Sequence, residues 1–394
     1  MTDQPVHQSL LESSTYLMAP VGSIVVERNE KVGETEFPAL SVGKLGVTPQ
    51  LAGVAKSQTE VDRKLVRAGD LVINSRSDRR GASGLASQDG SVSVVYSVMT
   101  PKPELLFPRY AHHLFRSIAF QDEFFRWGTG IVDDLWSTNF TRMSRIRVPL
   151  PPREIQRQIA AHMDRTEVMI GQLDQLVALL RARRTATWST VHSMGFETVR
   201  LQWLMDEVDL RAGGDNSDLP LLSVSIHHGV GLRENSSSGQ QAGADLSKYK
   251  VAHAGDIVVN RMRAFQGGLG QARMSGLVSP DYAVLRPIAG LSASWAEYVM
   301  RSPQFIETMA QWVRGIGGAD QGNVRTPRIN VRDLLTLSIP LPPPAELDEV
   351  TSQLDKVTDR IDQMLAKIAD LRGLLVERSS AFLLDVVTGR KEIA

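Results

Sequence analysis

From Val350 onward, apolar residues return at alternating steps of four and three. Val350, Leu354, Val357, Ile361, Met364, Ile368, Leu371 and Leu375 mark this rhythm. The spacing keeps one stripe on one side of a helix and predicts a coiled-coil seam within residues 344–386. An earlier stretch has the same beat. Ile159, Met163, Ile170, Leu173, Val177 and Leu180 carry it within 153–187, with polar Thr166 at one seam position. Each helix would run about 35 residues, or roughly 50 Å at 1.5 Å per residue. A lone helix of that length leaves its seam in water. Antiparallel pairing of the two inside one chain buries both seams; pairing between two chains is the alternative.

The segment before each helix has a different pattern. Asp70-Leu-Val-Ile-Asn74 and Asp256-Ile-Val-Val-Asn260 are short β-branched runs entered through a Gly-Asp turn. Val92–Val98 and Tyr282–Leu285 read as further strands. Arg109–Trp127 and Ser294–Val313 read as helices. Trp295, Tyr298, Val299, Phe305, Met309, Trp312 and Val313 give the second an apolar stripe, interrupted by Pro303, that reads as core rather than a cofactor pocket. Prolines at 149, 151 and 152, and at 340 and 342–344, then stop the β part and stiffen its exit.

These segments are two copies of one plan. Gly69-Asp70 matches Gly255-Asp256, and Tyr96 matches Tyr282, both offset by 186. Val148-Pro-Leu-Pro-Pro152 matches Ile339-Pro-Leu-Pro-Pro343, and Arg181 matches Arg372, both offset by 191. Order is kept over the whole length, and the period is far too long for a solenoid. The expected architecture is α+β. Two tandem mixed α/β domains, 1–152 and 196–343, are joined by helices 153–187 and 344–386 in an intramolecular antiparallel coiled coil with pseudo-twofold character. Residues 188–195 would be a linker and 387–394 a C-terminal tail.

Composition narrows the chemistry. The 394 residues include 44 basic and 44 acidic side chains and no Cys. Disulfides, thiolate catalysis and Cys-ligated metals are excluded. Zero net charge excludes a broadly basic protein but not a local basic patch. No apolar run reaches 18 residues, and the start lacks a basic, apolar leader pattern, so a cytoplasmic location is expected. The pairs His112-His113 and His227-His228 should point their rings apart, and no metal site is expected. Gly267-Gly-Leu-Gly270 lacks dinucleotide-loop spacing and reads as a loop. There is no Walker A sequence and no methyltransferase motif. Asp70 and Asp256 recur, but their setting favours turn hydrogen bonds over catalysis. No catalytic residue and no cofactor are expected in this chain.

Polar chemistry gathers after the duplicated strand. Asn74, Arg76, Arg79 and Arg80 follow it in the first copy. Asn260, Arg261, Arg263, Gln266 and Arg273 follow it in the second. Arg reads guanine or grips phosphate, and Asn and Gln read adenine. Lys44, Ser83, Arg142, Arg145, Lys248, Arg325 and Arg328 are further candidates, some suited only to positioning a backbone. On the helices, Arg181, Arg183 and Arg184 could meet phosphate or a partner's acidic groups. Two related domains at a fixed separation suit duplex DNA, whose turns repeat every 34–36 Å or so. Unequal halves would read a split, asymmetric site.

Over nearly its full length the chain resembles the specificity subunit (HsdS) of bacterial type I restriction–modification systems. Gly255-Asp-Ile-Val-Val-Asn-Arg-Met-Arg263, Gly276-Leu-Val-Ser-Pro-Asp-Tyr282 and the two Pro-Leu-Pro-Pro exits with their helices carry the resemblance. The first copy departs at Gly90-Ser-Val-Ser-Val-Val-Tyr96. The resemblance implies two DNA target-recognition domains, spacer helices that set the gap, and two docked methyltransferase subunits, which restriction/translocase subunits can join. S-adenosylmethionine, ATP and Mg²⁺ would then belong to partner subunits. The competing reading is a non-enzymatic scaffold displaying two protein-binding domains on a helical rod.

Overall fold

The computed structural model describes residues 14–33, 35–43, 46–50, 63–75, 81–128, 138–213, 218–233, 246–288, 290–312 and 328–392. The chain forms two compact units, Met1–Asp174 with Ala369–Ala394, and Gln175–Ile368.

In the first unit, β1 (Met18–Pro20) is followed by the one-turn α1 (Val21–Ile24) and β2 (Val25–Glu27). The central sheet orders β2, β10 (Tyr96–Pro101), β7 (Leu71–Asn74) and β8 (Ser83–Leu85), all antiparallel. A second sheet joins β3 (Lys31–Val32), β6 (Arg63–Val66) and β9 (Gly90–Ser93). A hairpin pairs β4 (Leu40–Gly43) with β5 (Gly46–Pro49), and β1 pairs with β11 (Arg147–Pro149). The helices are α2 (Pro108–Arg116), α3 (Ile118–Arg126) and the short α4 (Phe140–Met143). One helix was expected over Arg109–Trp127. It breaks at Ser117, whose hydroxyl accepts from Phe120 N and starts α3 afresh.

The long helix α5 (Arg153–Ser189) follows. In the second unit β12 (Thr198–Arg200) pairs with β21 (Ser338–Pro340). The central sheet orders β13 (Met205–Glu207), β20 (Tyr282–Pro287), β17 (Ile257–Asn260) and β18 (Leu269–Gln271), again antiparallel. A hairpin joins β14 (Leu222–Ser225) to β15 (Gly229–Leu232), and β16 (Lys250–Ala252) pairs with β19 (Gly276–Val278). α6 (Ala293–Met300) and α7 (Pro303–Ala310) are separate, because Ser302 caps α7 and Pro303 fills its first position. α8 (Val331–Thr336) and the 44-residue α9 (Pro344–Val387) complete the chain.

The likeness reaches single atoms. Buried Tyr110 donates its hydroxyl to Pro149 O at 2.9 Å, and buried Trp295 donates its indole N–H to Pro340 O at 2.9 Å. His113 bonds Asp164 on α5 at 2.6 Å, and Tyr298 donates to Asp355 on α9. Gly69 and Gly255 both take positive φ (92° and 96°) at the Gly-Asp turn, open to glycine at little cost.

α5 and α9 pair antiparallel, as expected. Within the first unit, His162 stacks on Phe382 at 3.9 Å and Arg372 reaches Asp174 at 2.9 Å. Within the second, Arg184 reaches Asp362 at 2.5 Å. Partners thus fall along α9 as they rise along α5. On α5, Ile159 and Thr166 are buried, and Met163, Ile170, Leu173, Val177 and Leu180 are half-buried. On α9 the inward stripe is shifted from the one read above. Leu354, Ile361 and Ile368 are buried and Leu375 is half-buried, but their companions are Leu347, Thr351, Thr358 and Leu365. Val350 is only half-buried, and Val357, Met364 and Leu371 are 39%, 39% and 47% exposed. Two threonines occupy seam positions, so hydropathy alone pointed to the neighbouring stripe.

Helix ends close both cores. Ile159, Ala160, Leu383, Val386 and Val387 belong to the first unit's main cluster. Trp188, Val191, Leu347 and Leu354 belong to the second's. Residues 188–195, expected as a linker, therefore contribute core side chains and a 3₁₀ turn at Thr190–Ser193. Past α9, the Thr388 carbonyl accepts from Thr15 N, and Ser14 donates its hydroxyl to Val387 O.

Candidate nucleic-acid interface

The segment after the duplicated strand is pinned alike in both units. Asn74 N donates to Ala82 O, and Asn260 N to Gly268 O, at 2.9 Å each. Thr138 N donates to Ser75 O at 3.2 Å, and Ile329 N to Arg261 O at 3.0 Å. In the second unit the sheet therefore holds a short, partly exposed segment at one of its ends.

In the second unit this segment is fully described. Asn260 Oδ1 accepts from Met262 N at 3.2 Å, and Asn260 Nδ2 donates to the Tyr282 hydroxyl at 3.4 Å. Arg261 donates from Nε to Ile329 O at 3.1 Å, which brings the neighbouring Arg328 to the same place. Arg328 is exposed and lies 3.4 Å from Asp281. Arg263 and Gln266 are exposed on the turn and the 3₁₀ helix that follow. Burial raises the Tyr282 phenol above its ordinary value, and the charges of Arg233 and Arg263 oppose that rise. Arg233, just past β15, was not singled out from the sequence. Its only signal was a cation at the end of a Gly-rich hairpin.

Three candidates change role. Asn74 and Asn260 are buried, and the Ser83 hydroxyl is buried and donates to Phe115 O at 3.3 Å. These three side chains are turned into the unit, and that of Asn260 braces the start of the loop. Arg273 is exposed and 3.9 Å from Glu297. Arg142 lies half-buried in the last turn of α4, Arg145 is exposed just beyond it, and Lys248 is exposed in a 3₁₀ turn. Lys44, Arg76, Arg79, Arg80 and Arg325 lie outside the described residues.

The duplicated aspartates are structural. Asp70 accepts from Arg67 N and Asp256 from His253 N, both at 2.8 Å. Each also holds an arginine, but from different strands. Arg28, just after β2, pairs with Asp70 at 2.7 Å, whereas Arg286 of β20 pairs with Asp256 at 2.8 Å. Thr100 occupies the first unit's equivalent of Arg286 and donates to Asp70 at 2.7 Å. The ion pair survived while its cation moved one strand over. Gly267-Gly-Leu-Gly270 is half turn and half strand: Gly267 has φ 85°, and β18 begins at Leu269.

One of the two histidine pairs, His112-His113, gathers with a carboxylate, which the sequence did not suggest. His112, His113 and Glu167 bring one ligand atom each within 4.8 Å of one another. A guanidinium already bridges them: Arg116 Nη1 is 2.8 Å from His112 Nε2 and 2.9 Å from Glu167 Oε1. Arg109 binds Asp164 and Glu167. Two arginines in and around the cluster repel a cation, so it ties α2 to α5 as an ion-pair network. Burial pushes His113 down to about 4 against the opposing effect of its hydrogen bond to the Asp164 carboxylate.

No family model and no curated protein matches the sequence. Solved structures do match. One, described as the structural basis underlying complex assembly and conformational transition of the type I R-M system, is 17% identical with a TM-score of 0.55. The match covers 95% of this chain and 97% of that one. The chain shares its fold with that chain of a type I restriction–modification system. The HsdS subunit from Thermoanaerobacter tengcongensis (18% identity, 95% and 96% covered, TM-score 0.38) and the S subunit from M. genitalium (10%, 93% and 96%, 0.48) also match. Among the described residues, no helix is long and apolar enough to cross a membrane.

Proposed function

We propose that the chain is a non-catalytic DNA sequence-specificity subunit. Each unit reads one half of a bipartite, asymmetric site. The observation that carries this reading is the like pinning, in two units of one topology, of the residues that enter the loop, which in the second unit gathers Arg233, Arg261, Arg263 and Arg328. Unequal side chains on like frames read unequal half-sites. Arg and Gln at this loop supply bidentate base contacts or phosphate grip. In the first unit Arg76, Arg79 and Arg80 take the same part.

Partners supply the chemistry. Two methyltransferase subunits bind, and restriction/translocase subunits can join; S-adenosylmethionine, ATP and Mg²⁺ sit on them. Apolar side chains left outside the seam fit such docking. They include Leu176 and Leu179 on α5 with Val357 and Met364 on α9 in the second unit, and Val168 with Leu371 and Leu374 in the first. The length of α5 and α9 fixes the gap between half-sites.

The test uses the chain reconstituted with its methyltransferase and a labelled duplex carrying the methylated site. Arg263→Gln should weaken binding about 5- to 100-fold in fluorescence anisotropy, the worth of one bidentate base contact. Unchanged affinity for Arg263→Gln and for Arg261→Gln alike would contradict the assignment.

A further inference from the structure

The second unit contains a cavity of about 340 Å³ walled by α5, the turn after β14, the Gln266–Gly267 corner and the start of α7. Three arginines line it: Arg181, Arg184 and Arg301. Arg184 is buried, held by Asp362 and by the His227 carbonyl. Arg301 is buried, donating to Glu297 Oε1 at 3.1 Å and to Ile226 O at 3.1 Å. Trp188 lies between them, with its ring 5.0 Å from the Arg184 guanidinium carbon and 4.7 Å from that of Arg301.

Two features set this cavity apart from a packing defect. First, donors are left over. Arg181 Nε, Arg184 Nε and the indole N–H of 95%-buried Trp188 are enclosed without a hydrogen-bond acceptor. Buried donors without acceptors are costly, by about 1–3 kcal/mol each, unless a ligand or water completes them. Second, positive charge is incompletely answered. Arg184 and Arg301 each have a carboxylate partner, but among the described residues no ion pair reaches Arg181. The duplication shows what is missing. Arg372, the counterpart of Arg181, pairs with Asp174, whose own counterpart is Leu365. The exposed Glu307 is the one carboxylate among the lining residues. The surplus is felt nearby: burial and then Arg181 and Arg184 lower the pKa of His228, and burial with Arg184 lowers that of Arg301.

The corresponding place in the first unit differs. The groove there is lined by Ile118, Ile170, Leu383 and Val387, and its two arginines, Arg116 and Arg372, are already neutralised by Glu167 and Asp174. Among the described residues, a lining arginine without a carboxylate partner is therefore a property of the second copy, not of the shared fold.

We propose that this cavity is an oxyanion site for a phosphate group, with Arg181 as the cation left for the ligand and the Trp188 ring in its wall. Guanidinium forks and N–H donors suit tetrahedral oxyanions. The phosphate can be free or part of a nucleic-acid backbone, and the experiment separates the two.

Inorganic phosphate is titrated into the full chain while tryptophan emission and heat are recorded. The expected result is saturable binding with a change in emission that Trp188→Phe abolishes. Arg181→Gln should weaken binding at least tenfold. That half-exposed residue has no ion pair to lose among the described residues, and circular dichroism checks that the variant folds. Duplex DNA that displaces phosphate marks a backbone phosphate as the source; simultaneous binding marks a free one. No saturation up to 10 mM or so phosphate, or equal affinity in wild type and Arg181→Gln, overturns the proposal. Loss of DNA specificity alone would leave the phosphate isotherm intact, so the two readings fail separately.

Discussion

Gly276 shows how tightly single residues are fixed. A Cβ there would lie 2.5 Å from Leu222 Cγ and 2.7 Å from the Pro220 carbonyl; at Gly90 it would meet Leu40 Cγ at 2.5 Å and Pro38 O at 2.8 Å. Gly276→Ala should cost about 1–3 kcal/mol, read by urea denaturation of the full chain. His113 gives a pH signature. Its folded pKa, about 4, lies below the ordinary imidazole value, so below about 6.5 the unfolded chain takes up a proton that the folded chain refuses. Its contribution is complete above that pH and declines as pH falls towards 4. A loss on the order of 1–3 kcal/mol between pH 7 and pH 4 should shrink in His113→Gln. A stability that rises on acidification would be the wrong sign. At this scale the turn role of Asp70 and Asp256 was legible, since a Gly-Asp turn has a local grammar. The migration of their arginine from β20 to the residue after β2 was not, because strand neighbours are far apart in sequence. Nor could hydropathy show that polar Asn74, Asn260 and Ser83 face inward.

The elements repay periodicity with one exception. The α5 seam positions Ile159, Met163, Thr166, Ile170 and Leu173 are all buried or half-buried, whereas on α9 the buried stripe runs through Thr351, Thr358 and Leu365. A seam that accepts threonine cannot be separated from a flanking valine stripe by apolarity alone. Leu365→Ala should therefore cost about 2–5 kcal/mol and Met364→Ala well under 1 kcal/mol. Equal losses in thermal or urea unfolding would put the seam back on the stripe through Met364. The broken helices α2/α3 and α6/α7 teach the same lesson. Pro303 announced one break, whereas Ser117 looked like any other helix residue.

For the whole chain, duplication was the most legible feature. It foretold two units with the same sheet order, and the antiparallel pairing followed because two long seams need each other. Invisible in the sequence was the way each core borrows from both helices: Val386 and Val387 close the first, and Leu347 and Leu354 the second. The zero net charge fits the proposed function, in which a few loop arginines rather than bulk potential grip DNA. The most direct measurement of this account is the map of methylated adenines in DNA from cells carrying the chain with its methyltransferase. It predicts two different short half-sites separated by one constant gap, vanishing when the chain is removed. A single contiguous motif, or a pattern unchanged by that removal, would contradict it.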